Sequence, residues 1–167
     1  MTLLIVSDSH GNCERLTNLF ELHKNADALI YLGDGLTDLD RAGVSNYPFT
    51  VFAVKGNCDS GRGSLTAMRA KDEMTFTFDG IKFLAMHGHT KNVKYNMTNA
   101  IYAAEQNGAD VLLFGHTHEP IGTYIPENEY NLNKPLYIFN PGSIADWSYG
   151  LCEIRNGQFL FSHGTIY

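Results

Sequence analysis

"LLIVSDSHG", Leu3 to Gly11, runs four consecutive apolar residues into a serine, a carboxylate and an imidazole. A short unbroken apolar run is what a strand buried on both faces requires. Leu16, Leu19, Phe20 and His23 then recur at helical spacing. "ALIYL", Ala28 to Leu32, and "TVFAV", Thr50 to Val54, repeat the strand pattern, and this alternation predicts βαβ units with parallel pairing. Beyond a polar stretch from Ser60 to Lys71, "MTFTFDGIKFLAMHG" alternates around Asp79-Gly80, a turn pair that tolerates positive φ, and predicts an antiparallel hairpin. Thr98 to Asn107 reads as a helix with Thr98 as its N-cap and Gly108 as its stop, and "DVLLFG" predicts another buried strand. "PLYIF" and "GLCEIRNGQFLF" complete the chain, the latter with a turn pair at Asn156-Gly157. The total is about eight or nine strands and two or three helices, too many strands for one flavodoxin-like sheet.

Composition narrows the function class. With 167 residues, 44% of them hydrophobic, the chain is expected to form one domain over residues 1–167 with a core that needs no staples. Cys13, Cys58 and Cys152 are odd in number and far apart, which disfavours a disulfide framework and favours a reducing compartment. "MTLLIV" has no basic leader, and no apolar run approaches the ~20 residues of a membrane span, so a cytoplasmic protein without membrane attachment is expected. A formal net charge of −6 repels polyanions, and the 12 Lys and Arg form no stripe, which argues against a large nucleic-acid interface. An anionic substrate must therefore be attracted locally.

The strand ends supply that attraction. Leu3 to Val6 ends at "SDSHG", Ala28 to Leu32 at "GDG", Thr50 to Val54 at "KGNCD", Ile81 to Met86 at "HGH" and Val111 to Phe114 at "GHTH". Ligands of α/β sheets gather beyond the carboxyl ends of strands. Asp8, His10, Asp34, Asn57, His87, His116 and His118 offer carboxylate, imidazole and amide oxygen, more donors than one tetrahedral zinc uses. With one shared carboxylate, best supplied by Asp34, they suit a two-metal hydrolytic centre with ions ~3.5–4 Å apart.

In this order and spacing, "DSHG", "GD", "GNCD", "HGH" and "GHTH", with "NPGS" at Asn140 to Ser143, resemble the calcineurin-like metallophosphoesterase superfamily, and within it the small YfcE-type phosphodiesterases. The resemblance implies a four-layer α/β/β/α sandwich of two mixed sheets flanked by helices. It also implies that Asp8, His10 and His118 hold one ion, that Asn57, His87 and His116 hold the other, and that Asp34 bridges them. The cofactor implied is a pair of divalent ions, Mn²⁺ by family likeness, with Zn²⁺, Fe²⁺, Ni²⁺ or Mg²⁺ also suited to oxygen and imidazole donors. Two such ions less the two carboxylates leave about +2 on an acidic protein, enough to draw in a phosphate. A hydroxide bridging them would attack phosphorus in line, with no covalent protein intermediate.

Cys58 departs from the family's usual Gly-Asn-His-Asp/Glu, where the histidine assists the leaving group. A thiol with an ordinary pKa of about 8.5 is a poor proton donor. The expectation is a phosphodiesterase acting on a small phosphodiester with weak phosphomonoesterase activity. The alternatives are a phosphomonoesterase of the same fold and a non-catalytic protein-interaction scaffold. Asn57, Cys58, Asp59 and His89 are the catalytic candidates, Asp59 as an orienting acid and His89 as a phosphate contact or metal support. The bland alternatives are a turn cap for Asn57, a buried filler for Cys58, and structural roles for His23, His163, Cys13 and Cys152. Arg62 and Arg69 are candidate substrate cations. Trp147 and Tyr149, in place of the family's Pro-Arg after "NPGS", offer either a stacking surface or a homodimer contact.

Overall fold

The strand that opens the chain, β1 (Thr2–Val6), is the middle member of a five-stranded sheet, and its residues Leu3 to Val6 are fully buried. Burial on both faces explains its unbroken apolar run: Leu3 and Ile5 face one apolar cluster, Leu4 and Val6 another. The computed structural model describes residues 1–60 and 64–167. After β1 come α1 (Cys13–Leu22), β2 (Ala28–Tyr31), α2 (Leu36–Arg41), β3 (Thr50–Ala53), α3 (Leu65–Arg69) and the hairpin β4 (Glu73–Phe78) and β5 (Ile81–Met86). Then follow α4 (Thr98–Gln106), β6 (Val111–Leu113), β7 (Ile121–Ile125), β8 (Leu136–Asn140), β9 (Ser148–Arg155) and β10 (Gln158–Thr165).

The first sheet has the order β10-β9-β1-β2-β3 and the second β4-β5-β6-β8-β7. β1/β2, β2/β3, β5/β6 and β6/β8 pair in parallel, with β3 at one edge of the first sheet, and antiparallel strands complete its other side and both sides of the second sheet. Residues of both sheets, among them Ile5, Ile30, Phe83, Leu113 and Phe139, share one buried cluster, which is the layer between them. Outside it, α1 and α2 cover the first sheet through Leu16, Leu19, Phe20 and Leu39. α4 covers the second through Ala100, Ile101 and Ala104. Each fully buried Leu or Phe contributes about 1.5–3 kcal/mol of burial. The expected four-layer sandwich of two mixed sheets is the observed fold.

Several details differ from the sequence reading. The described residues hold ten strands and four α-helices, more than predicted. β7 escaped because Gly122, Thr123 and Tyr124 face solvent on an edge, leaving no alternation to read. The polar stretch from Ser60 to Lys71 contains α3, whose N-cap Ser64 accepts the Ala67 N–H at 2.9 Å. Thr98 is not the cap of α4 but its first residue, and its N–H donates to Asn96 Oδ1 at 3.2 Å. Leu32 and Val54 fall just past the ends of β2 and β3.

Candidate metal centre

Because β1, β2 and β3 run parallel in one sheet and β5 and β6 in the other, the motif-bearing loops of each sheet emerge at one end, and contacts between them bring the two sets together. Five of the residues there adopt left-handed backbone: Asp8 (φ 55°), His10 (44°), Asp34 (57°), His116 (68°) and His118 (64°). Each such non-glycine residue costs about 1–2 kcal/mol, so the surrounding structure must impose it. The Asp8 N–H donates to the Gly33 carbonyl at 2.9 Å, the Ser9 N–H to the Asp34 carbonyl at 3.1 Å, and the His116 N–H to Asp8 Oδ2 at 3.0 Å. Gly33 and Gly56 allow the loops to meet. A Cβ on Gly56 would collide with the Asp34 carboxylate, and one on Gly33 would stand 2.6 Å from the Gly56 nitrogen.

Asp8 is fully buried, and its two oxygens differ. Oδ2 accepts from Ser7 Oγ and the His116 N–H, whereas Oδ1 has no hydrogen-bond partner among the described residues. Around Oδ1 stand His118 Nε2 at 3.2 Å, His10 Nε2 at 3.6 Å and His87 Nε2 at 4.0 Å. His10 Nε2 and His118 Nε2 face each other at 3.2 Å.

A second group surrounds His87. Its Nδ1 donates to the Leu32 carbonyl at 2.7 Å, so Nε2 is the ring nitrogen turned toward the other groups. That Nε2 meets Asn57 Oδ1 at 3.2 Å, His116 Nδ1 at 3.1 Å and Asp34 Oδ2 at 3.4 Å. Asp34 also converges with His10 and Cys58, and so reaches both groups. All seven expected ligands are thus brought together.

Carboxylate, amide and imidazole atoms gathered this closely fit around a cation, and an orphaned buried carboxylate oxygen marks a place for it. The oxygen and nitrogen donors suit borderline or hard divalent ions. The charges respond to the same crowding. Burial opposes the Asp34 anion, but hydrogen bonds from His87 and the Cys58 N–H outweigh it and hold the carboxyl well below the usual carboxylate range. Burial opposes the His87 cation, yet the carboxylates of Asp34 and Asp8 push that imidazole up. His116 is pulled down to about 4 by burial and by His87, and His89 is lowered by the same two causes.

Asp59 is buried and accepts four backbone N–H groups, those of Asp34, Gly35, Leu36 and Gly56. Cys58 is exposed rather than a buried filler, and partial desolvation together with Asp34 pushes its thiol up to about 11. It lines a recess of about 190 Å³ with His10, Asp34, Thr37 and Asp59. His89 packs against His87 and His116 with Nδ1 buried and unpartnered among the described residues.

Arg62 lies outside the described residues. Arg69 is exposed in a cleft beside Lys71 and Glu73 that shares no residue with the cluster, so the structure does not bring it to the site. Tyr149 is buried, its hydroxyl 3.0 Å from His23 Nε2, and offers neither a stacking face nor a dimer contact. Trp147 is partly exposed and lies over the Arg15 guanidinium. Cys152 packs in the layer between the sheets, Cys13 lies beside Asp38, and His163 meets the Asn140 carbonyl at 2.7 Å, all structural roles.

The sequence reading missed the supports. Asp38 Oδ2 accepts from Ser9 Oγ at 2.6 Å and the Gly11 N–H at 2.7 Å, fixing the "SDSHG" loop. Asn140 Nδ2 donates to the Gly115 carbonyl and Thr117 Oγ1, fixing "GHTH". Asp146 Oδ2 stands 3.1 Å from His118 Nδ1. Only Asn140 carried a signal, as part of "NPGS"; Asp38 reads as an ordinary helical acid and Asp146 as a loop acid.

A family model described as the calcineurin-like phosphoesterase superfamily domain matches residues 1–164. The probable metallophosphoesterase YsnB of Bacillus subtilis is 38% identical over 145 residues, covering 86% of this chain and 75% of that protein. Phosphodiesterase YfcE of Escherichia coli is 28% identical over 165 residues, covering 87% of this chain and 80% of its own. A crystal structure of Vps29 from Entamoeba histolytica complexed with Zn²⁺ superposes with a TM-score of 0.70 at 19% identity, covering 99% of each chain, a likeness of fold.

Proposed function

The chain belongs to the calcineurin-like phosphoesterase superfamily, and we propose that within it this protein is a phosphodiesterase whose strand-end loops hold two divalent ions. Asp8, His10 and His118 would hold one, Asn57, His87 and His116 the other, with Asp34 shared. The observation that carries this reading is Asp8 Oδ1, buried and without a hydrogen bond among the described residues, facing three imidazole nitrogens. The relative named phosphodiesterase supports the diester reading.

When bound, the ions supply Lewis acidity, acidifying water for in-line attack and neutralising charge on the phosphoryl oxygens. The chain's own residues do the rest. Asp59 fixes the backbone on which Asp34 and Asn57 stand. The Leu32 carbonyl takes the Nδ1 proton of His87, so Nε2 is the nitrogen that would meet an ion. The recess lined by Thr37 and Cys58 receives the ester group beside Asp34. Cys58 keeps its proton, so the leaving group departs with little help and good leaving groups are favoured. His89, neutral, supports the His87 and His116 rings. Mn²⁺ is the first ion to supply, and a small diester is the substrate class.

Stripping the protein with a chelator and restoring Mn²⁺ tests the reading with bis(p-nitrophenyl) phosphate. Hydrolysis should vanish and return. A protein-interaction scaffold would hydrolyse the diester in neither state, and a phosphomonoesterase would prefer p-nitrophenyl phosphate.

A further inference from the structure

The two imidazoles that flank Asp8 Oδ1 most unequally are His87 and His118. Both have Nδ1 occupied: His87 by the Leu32 carbonyl at 2.7 Å, His118 by Asp146 Oδ2 at 3.1 Å. A proton donated from Nδ1 fixes the tautomer and leaves the Nε2 lone pair for a ligand. In His118 that lone pair points to Asp8 Oδ1 and His10 Nε2, each at 3.2 Å. The two partners differ in kind. Leu32 offers a neutral, buried carbonyl at the end of a strand, whereas Asp146 offers a charge on a side chain that is 63% exposed.

An exposed carboxylate is ordinarily free to wander, and its ion pair with a half-exposed imidazole counts for little. Here the backbone beneath it is sewn down. The Ile144 N–H donates to the Ser7 carbonyl at 3.0 Å, the Ala145 N–H to the Asp8 carbonyl at 3.2 Å, and Ser143 Oγ to the same Asp8 carbonyl at 2.9 Å. From the other side, Arg15 of α1 donates one Nη1 to the carbonyls of Ile144 (2.5 Å) and Ala145 (2.9 Å). Trp147, left-handed at φ 71°, closes over that guanidinium with 3.6 Å between its ring centroid and the Arg15 carbon. Asp146 is thus gripped between two residues whose neighbours are themselves fixed.

Resting on the reading of two bound ions, we propose that Asp146, presented by the Arg15–Trp147 clamp, is a positioning residue that orients His118 and sets the affinity of the ion held with Asp8 and His10. Its charge makes the two ion sites unequal, since the site served by His87 has only a carbonyl behind its imidazole.

Calorimetric titration of the chelator-stripped protein with Mn²⁺ tests this without recourse to activity. Wild-type protein should bind two ions. In Asp146→Ala one ion should bind about 10–100-fold more weakly, the usual cost of losing an orienting partner, while the other changes less than about threefold. Asp146→Asn keeps an acceptor without the charge and should fall between. Arg15→Met keeps the stem but loses the donors, and should reproduce part of the loss with Asp146 still present. Two unchanged dissociation constants in Asp146→Ala, or equal weakening of both ions, would overturn the inference while leaving the two-ion reading intact. Wild-type protein that binds fewer than two ions would overturn that reading and this inference with it.

Discussion

The carboxylate of Asp59 accepts the backbone N–H of Asp34 at 2.9 Å, and the same carboxylate takes the N–H groups of Gly35, Leu36 and Gly56 at 3.0, 2.9 and 2.8 Å. One buried acid thereby joins the loops after β2 and β3 and holds Asp34 in its left-handed conformation. Asp59→Asn turns one acceptor oxygen into a donor facing amides. Each buried donor left without a partner costs about 1–3 kcal/mol, so urea unfolding of the metal-free variant should show a loss of about 3 kcal/mol or more. A loss below about 1 kcal/mol would mean that the amides find other partners.

Cys58 combines exposure with low reactivity. Partial desolvation and the neighbouring Asp34 push its thiol up to about 11, so at pH 8 the thiolate fraction is on the order of a hundredfold below that of an ordinary cysteine. In chelator-stripped protein, iodoacetamide at pH 8 should label Cys58 at least tenfold more slowly than free cysteine, followed by mass spectrometry of the peptide. The rate should climb steadily to pH 10 and beyond. Rapid labelling at pH 8 would contradict the raised thiol.

The central strands and the clustering of the seven candidate ligands could be read from the sequence because both depend on residue type. Leu3 to Val6 must be apolar to lie between two layers, and imidazoles crowded at strand ends have few uses besides metal binding. β7 could not be read, since an edge strand with Gly122 to Tyr124 in solvent leaves no alternation. Nor could the left-handed backbone at Asp8, His10, Asp34, His116 and His118, which is imposed by contacts between distant loops rather than by local preference. The support from Asp146 to His118 spans 28 positions and depends on Arg15 still further away, so no spacing rule announces it.

His23 links pH to stability at a distance from the metal ligands. Burial lowers its pKa, and its Nε2 meets the Tyr149 hydroxyl at 3.0 Å. The unfolded chain, with an ordinary histidine of about 6.5, takes up the proton first. The contribution of a neutral, partly buried His23 is therefore fully present above about pH 6.5 and lost as pH falls through the lowered folded value. Urea unfolding at pH 7.5 and 5.5 should show a steeper loss for the wild type than for His23→Gln. Equal losses would mean that His23 ionises alike in both states.

On the proposed reading, the side chain at position 58 sets the balance between diesters and monoesters. Its N–H donates to Asp34 Oδ1 at 2.7 Å, so the backbone is fixed independently of the side chain, which faces the recess beside His10 and Asp34. A substituted residue should therefore leave the ligand set in place. The thiol holds its proton too firmly to release it and carries no positive charge for a monoester dianion. Histidine at this position supplies both a transferable proton and that charge. General acids contribute about 10²–10⁴-fold where the leaving group needs protonation. Cys58→His in the Mn²⁺ form should accordingly raise kcat/KM for phenyl phosphate about tenfold or more relative to that for diphenyl phosphate, because the diester monoanion gains less from the added charge. Phenyl esters are the discriminating choice, since their leaving group is basic enough to need the proton. If the diester-to-monoester ratio does not move while both ions remain bound, the preference arises from the shape of the recess and not from the thiol.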